Sequence, residues 1–277
     1  MNDIQIDRGA VFQSLAMQAV RAEWQDIGRR LRVPVVFFKG AWSEPVLHRG
    51  HSFRRVSDVD VLIPDSAWSA VTGEARRRGW SLHEEPGRRV SYERGREQTY
   101  SKGVGLAVDL HRAIAEPPRR LNPRLLIACS LNYESEDGPV LSFCPEHQIA
   151  VAAVNHANDG FLNDPRTRHD VELLLQRYDV DWHAVGRLAE AGHFSFGLRW
   201  MLAQLELEPP RYLRMSPRDE QRVQAVQSLR RRQWPPLMTQ LAEGVLSGVP
   251  GQQLRWMVRY GGRRVLDRLP ASWSSVG

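Results

Sequence analysis

Residues Val56-Ser57-Asp58-Val59-Asp60-Val61-Leu62-Ile63 constrain the fold of this chain more than any other stretch. Apolar and polar residues alternate with period two, so the segment predicts a strand with one buried face. Val59, Val61 and Ile63 fall on that face, and Asp58 and Asp60 on the other. Two residues apart on a strand, the two aspartates have Cα atoms about 7 Å apart. Both carboxylates can therefore reach one divalent cation, or a pair of cations about 4 Å apart. Without a cation, adjacent like charges raise each other's pKa and weaken the strand. On that ground, neutralising either acid is expected to stabilise the cation-free chain.

The chain around this strand is long enough, at 277 residues, to bury one large core or two ordinary ones. With 42% hydrophobic and 25% charged residues it is neither disordered nor fibrous. The acidic start, MNDIQID, lacks the basic-then-apolar form of a signal peptide. No apolar run approaches the roughly 20 residues that span a bilayer. Cys129 and Cys144 are too few for a disulfide scaffold. These features predict a soluble, cytoplasmic protein without a membrane partner. The net charge of +6 suits phosphate-bearing ligands but is weak support for nucleic-acid binding. All 38 basic residues except Lys39 and Lys102 are arginine, which makes each lysine conspicuous.

Residues 10–32 predict an amphipathic helix with Phe12, Leu15, Ala16, Ala19, Val20, Trp24, Ile27 and Leu31 as its stripe. Val33–Phe38 is a short apolar run, read as a buried strand that ends in Lys39-Gly40-Ala41, with a short helix through Leu47. A strand ending in a small-residue turn lets a ligand approach the backbone. Arg54 and Arg55 stand just before the acidic strand, where guanidinium groups can fork onto phosphate oxygens. A helix from Asp65 to about Arg78 follows, then a strand at Trp80–His83 and a hairpin or flap over 88–103. Residues 104–111 alternate again: Val104, Leu106, Val108 and Leu110 form a core face, and Gly105, Ala107, Asp109 and His111 the other. Asp109 thus offers a third carboxylate from a neighbouring strand, with His111 beside it. Residues 115–140 read as a connection with a short helix after Asn122-Pro123. From Pro145 the pattern becomes helix after helix, so the chain is divided into an α+β part, 1–140, and a helical part, 141–277.

The ordered set Phe38-Lys39-Gly40, an arginine before Ser57-Asp58-Val59-Asp60-Val61-Leu62, and Val108-Asp109-Leu110-His111 resembles the uncharacterised nucleotidyltransferase family, within the polymerase-beta-like superfamily. Leu141-Ser142, Glu146, Asn155-His156, Asp170–Leu174 and Asp181-Trp182 extend the resemblance over roughly residues 10–207. It implies an α+β fold: a small mixed sheet forming a nucleotidyltransferase core, an N-terminal helix, and a C-terminal all-helical domain. It further implies Asp58, Asp60 and Asp109 as catalytic residues and ligands of Mg2+ or Mn2+. Lys39, Gly40, Arg54, Arg55, Ser57 and His111 are the candidates for holding the donor, a nucleoside triphosphate or a sugar nucleotide. The superfamily usually has Gly-Ser where this chain has Gly40-Ala41, so one hydroxyl contact to a triphosphate is absent and Lys39 is left as the point charge. The implied activity is transfer of a nucleotidyl or related phosphate-linked group to a hydroxyl or phosphate of a peptide, protein or small molecule, peptide tailoring included. Asn155, His156 and Asp159, at the end of the first C-terminal helix, are the candidates for acceptor binding.

Three alternatives carry weight. Asp-x-Asp with a later Asp-x-His also marks metal-dependent glycosyltransferases, but those place a full nucleotide-binding half before the first motif. Here one helix and one strand precede it, so sugar transfer on the present fold is the surviving form. His147, His156 and His169-Asp170 give a loosely spaced likeness to a histidine–aspartate metal phosphohydrolase. A catalytically inactive member that binds a ligand or partner is opposed by the presence of all three acids.

Overall fold

A computed structural model describes residues 8–49, 58–83, 97–103, 106–114, 119–158 and 165–231. It opens with α1 (Arg8–Leu31), whose buried stripe is Met17, Val20, Trp24 and Ile27, at the spacing that one helical face requires. Phe12 and Leu15, expected on this stripe, are 69% and 59% exposed. The stripe becomes buried only from Met17 onward, where α1 lies over the sheet, and Arg21 shares that buried face.

Next come β1 (Val36–Phe38), α2 (Gly40–Val46) and β2 (Asp58–Leu62). A 3-10 turn at Asp65–Ala67 leads into α3 (Trp68–Arg77), then β3 (Ser81–Leu82), β4 (Glu97–Ser101) and β5 (Ala107–His111). These strands form one mixed sheet in the order β1-β2-β5-β4-β3. Only the central pair, β2 with β5, is parallel. The expected α+β class with a small mixed sheet and an N-terminal helix is therefore what the chain forms.

Val59, Val61 and Ile63 are completely buried, as their alternation requires. On the helix-covered side Trp24 meets Trp80 and Tyr100 edge to face, at 5.6 and 6.2 Å between ring centres. The aspartate-bearing face of the sheet is the one that builds the site.

The segment expected to be a connection contains more order than the sequence suggested. After α4 (Pro123–Ala128), started by the Asn122 side chain accepting from the Arg124 amide, a two-stranded hairpin forms from β6 (Ser130–Tyr133) and β7 (Val140–Phe143). β7 lies against β1, and the Ser142 hydroxyl donates to the Phe37 carbonyl. The helices α5 (Pro145–Asn158), α6 (Pro165–Arg177), α7 (Trp182–Ala191), α8 (Ser195–Gln204) and α9 (Pro217–Arg231) complete the described chain. No helix among the described residues is long and apolar enough to cross a membrane. Cys129 and Cys144 are both free thiols.

Candidate active site

Strand register decides which side chains meet. Asp60 is paired with Asp109 across β2 and β5, and Leu62 with His111. On the far side of β5, Thr99 is opposite Asp109 and Glu97 opposite His111. Partners in register share a sheet face, so Asp60, Asp109, His111, Thr99 and Glu97 all project to one side. Asp58 is on that face too, one pleat earlier.

Asp60 is the hub. Its Oδ1 accepts from the Lys39 ammonium at 2.7 Å and lies 3.1 Å from His111 Nε2. Burial by itself would raise the Asp60 carboxyl, but Lys39 and His111 outweigh it and hold the group below the usual carboxylate range. Lys39 shows the complementary effect. Burial pulls its ammonium down, yet Asp60, followed by Asp58 and Asp109, raises it overall. The Lys39 side chain is still 40% exposed, so this ion pair is partly screened by water.

Asp109 behaves oppositely to Asp60. Burial lifts its carboxyl, the charges of Asp60 and Asp58 add to the lift, and a 2.7 Å hydrogen bond donated by Thr99 works against it. Two acids facing each other across adjacent strands are thus pushed apart in affinity for protons.

Lys39 occupies the turn between β1 and α2 with φ 50° and ψ −133°, conformational space that L-residues avoid. Such a conformation costs of the order of 1–3 kcal/mol and persists where the surroundings hold it in place. The side chain gains its reach to Asp60 from this turn. Gly40 follows as the buried first residue of α2.

Asp60, Asp109 and His111 each place one ligand atom within 4.8 Å of the others, a grouping that fits a divalent cation. The Lys39 ammonium against Asp60 already supplies a positive charge at its edge. Asp58 lies outside this group of three, though its charge is felt by both Asp109 and Lys39. Arg54, Arg55 and Ser57, expected at the donor, and Asp159, expected at the acceptor, lie outside the described residues. Asn155 and His156 are on α5, half-buried and buried respectively, and α5 packs against β7, α6, α7 and α8.

Sequence reasoning passed over Thr99 and Glu97, which fell within the expected flap. Their signal was present: Glu97-Gln98-Thr99 repeats the two-residue spacing of Asp109-Leu110-His111 on the strand that pairs with it. The histidine–aspartate phosphohydrolase expectation is not supported by the geometry. His147 Nδ1 lies 3.0 Å from Cys144 Sγ, while the His169 ring is tilted against His48 at 5.1 Å between centres, and His48 itself pairs with Asp170 at 2.8 Å. Among the described residues, the one group of three potential ligands is the one on the sheet.

A mixed sheet carrying acids on paired central strands, with a cation-bearing turn at the next strand's end, defines a nucleotidyltransferase-type core. The profile of the uncharacterised nucleotidyltransferase family matches residues 11–206, and the chain belongs to that family. Among solved structures, a lincosamide antibiotic adenylyltransferase, LnuA with lincomycin bound, is similar at 14% identity and TM-score 0.40, over 57% of this chain and 95% of that one. ANT(2'')-Ia in complex with adenylyl-2''-tobramycin is similar at 13% identity and TM-score 0.44, over 63% and 95%. An antigenic nucleotidyltransferase-like protein from Paracoccidioides brasiliensis follows at 14% identity and TM-score 0.42, over 71% and 94%. Comparison with curated proteins gave no match.

Proposed function

We propose that this transferase moves a nucleotidyl group from a nucleoside triphosphate to a hydroxyl or phosphate of a peptide, protein or small molecule, with Mg2+ or Mn2+ at the acidic site. The observation that carries the reading is the convergence of Asp60, Asp109 and His111 beside Lys39 on one sheet face. Asp60 and Asp109, with the charge of Asp58 added, hold the cation, which supplies charge neutralisation at the transferring phosphate.

The remaining work falls to the chain's own groups. Lys39 is a compact positive charge at the mouth of the site, suited to the oxygens of the leaving phosphates. Asp109, whose carboxyl is lifted by burial, is suited to take the proton of an acceptor hydroxyl, and Thr99 fixes its orientation. Asn155, His156 and Asp159 are assigned to position the acceptor from the helical part. Gly40, Arg54, Arg55 and Ser57 are assigned to the donor. Ala41, which stands where the superfamily usually has serine, removes a hydroxyl contact and motivates sugar nucleotides as the second class of donor to test.

The experiment is a thermal-shift panel of nucleoside triphosphates and sugar nucleotides, each with and without Mg2+ or Mn2+. A triphosphate at 100 times its Kd stabilises by about 2.7 kcal/mol, and only when the cation is present. Asp60→Asn and Asp109→Asn remove the response, and Lys39→Ala weakens triphosphate binding more than monophosphate binding. Cation-independent binding, or an unaltered response in Asp60→Asn, overturns the reading.

A further inference from the structure

His111 stands between two carboxylates. Its Nε2 is 3.1 Å from Asp60 Oδ1, and its Nδ1 is 3.3 Å from Glu97 Oε2. The side chain is 6% exposed, and the Phe38 ring packs on it edge to face at 5.1 Å. Buried as it is, Nδ1 makes no hydrogen bond of good geometry.

A neutral imidazole carries one N–H and one lone pair. Between two carboxylates it can therefore satisfy only one and must turn its lone pair on the other. Without a cation Nε2 serves Asp60 Oδ1 as the N–H donor, and the Nδ1 lone pair is the one turned toward Glu97 Oε2. With the N–H moved to Nδ1, where it can donate to Glu97, the Nε2 lone pair becomes a ligand for a dication shared with Asp60 and Asp109, whose ligand atoms lie within 4.8 Å of it. A carboxylate that holds the far nitrogen of a ligating histidine is a recurrent way of fixing the ring's tautomer and orientation.

We propose that the cation centre of this chain is a mixed nitrogen–oxygen site of Asp60, Asp109 and His111, with Glu97 as the positioning residue for His111, and that it selects a first-row transition dication over Mg2+. Imidazole nitrogen is a poor match for Mg2+, which takes oxygen ligands and gives up water reluctantly. Transition dications bind nitrogen sites increasingly well along the first row, Mn2+ being the weakest of them and so the most demanding probe. The proposal rests on the transferase reading for what the cation is used for, and on His111 and Glu97 for which cation it is.

The test titrates Mn2+ and Mg2+ alone into the full chain and records the pulsed paramagnetic resonance of the bound Mn2+. Mn2+ is expected to bind about tenfold or more tighter than Mg2+, with the 14N coupling of a directly bound imidazole. Glu97→Gln weakens Mn2+ binding by about 10–100-fold and keeps the nitrogen coupling. His111→Ala loses the coupling and weakens Mn2+ more than Mg2+. Equal affinities, or a Mn2+ centre without nitrogen coupling in the unaltered protein, overturn the proposal. The unaltered protein is decisive even if His111→Ala fails to fold. A nitrogen-free Mn2+ centre that still supports triphosphate binding sinks this proposal and leaves the transferase reading standing. A nitrogen-coupled centre on a chain that binds no triphosphate does the reverse.

Discussion

Asp60 and Asp109 face each other across paired strands, yet their protonation is driven in opposite directions. The expectation that Asp58 and Asp60 weaken the cation-free chain by mutual repulsion is therefore corrected for Asp60, whose carboxylate is held by Lys39 and His111. A depressed carboxyl contributes stability that is complete above its ordinary value of 3.8 and lost as pH falls through the folded value. A raised carboxyl does the opposite: Asp109 penalises the fold where it is ionised, and the penalty is gone below 3.8. Chelator-treated Asp60→Asn is thus expected to be destabilised by about 1–3 kcal/mol at pH 7, since it removes the carboxylate that Lys39 and His111 share. Asp109→Asn, which keeps an acceptor for Thr99, is expected to melt higher than the unaltered chain at pH 7. Both differences shrink toward pH 3, and melting curves over pH 7 to 3 check this. Two variants that move in the same direction at pH 7 contradict the account. The acids and the lone lysine were legible in the sequence by type and spacing. The left-handed turn that carries Lys39 to Asp60 was not, because a positive φ at a non-glycine residue has no residue signature.

At the scale of elements, the hairpin β6–β7 was hidden because each strand has four residues and neither alternates cleanly. Its pairing is stabilised by contacts remote in sequence. Arg21 on α1 reaches Asp137 at 2.7 Å beside the turn, and within the hairpin itself the Tyr133 hydroxyl donates to the Phe143 carbonyl. Ser142 links three elements: it donates to Phe37 on β1 and accepts from Gln148 on α5 at 2.7 Å. Completely buried, it leaves two polar groups unpaired when removed. Ser142→Ala is expected to cost about 1–3 kcal/mol in a denaturant titration, with the response to cation and triphosphate retained. A neutral effect would mean that neither hydrogen bond contributes. The strands 58–62 and 107–111, by contrast, were readable as strands, since apolar residues alternate along both, although the face opposite Val59 and Val61 is buried as well, at Asp60 and Leu62.

For the whole molecule, one buried core runs from Met17 through the sheet to Leu213 and includes residues on both sides of position 140. We propose the division at 140/141 as one of roles, donor on the sheet and acceptor from the helices, within that shared core. The helical part is tied to the α2 region by His48 with Asp170 at 2.8 Å and by Arg177 donating to the Val46 carbonyl. Asp170→Asn is expected to raise amide hydrogen exchange in α2 and α6 together, with a loss of about 1 kcal/mol. Faster exchange in α6 alone would show that the two are not coupled through this pair. The sequence by itself determined the helix-strand order around the site, the buried faces and the acids that bear charge, because those follow from local periodicity and residue type. The tertiary structure alone decided the parallel register that sets Asp60 against Asp109, and the β4 pairing that brings Glu97 to His111 and Thr99 to Asp109. Register is a choice among strands distant in the chain. It is fixed by what the whole core can bury, and no local stretch of residues encodes it.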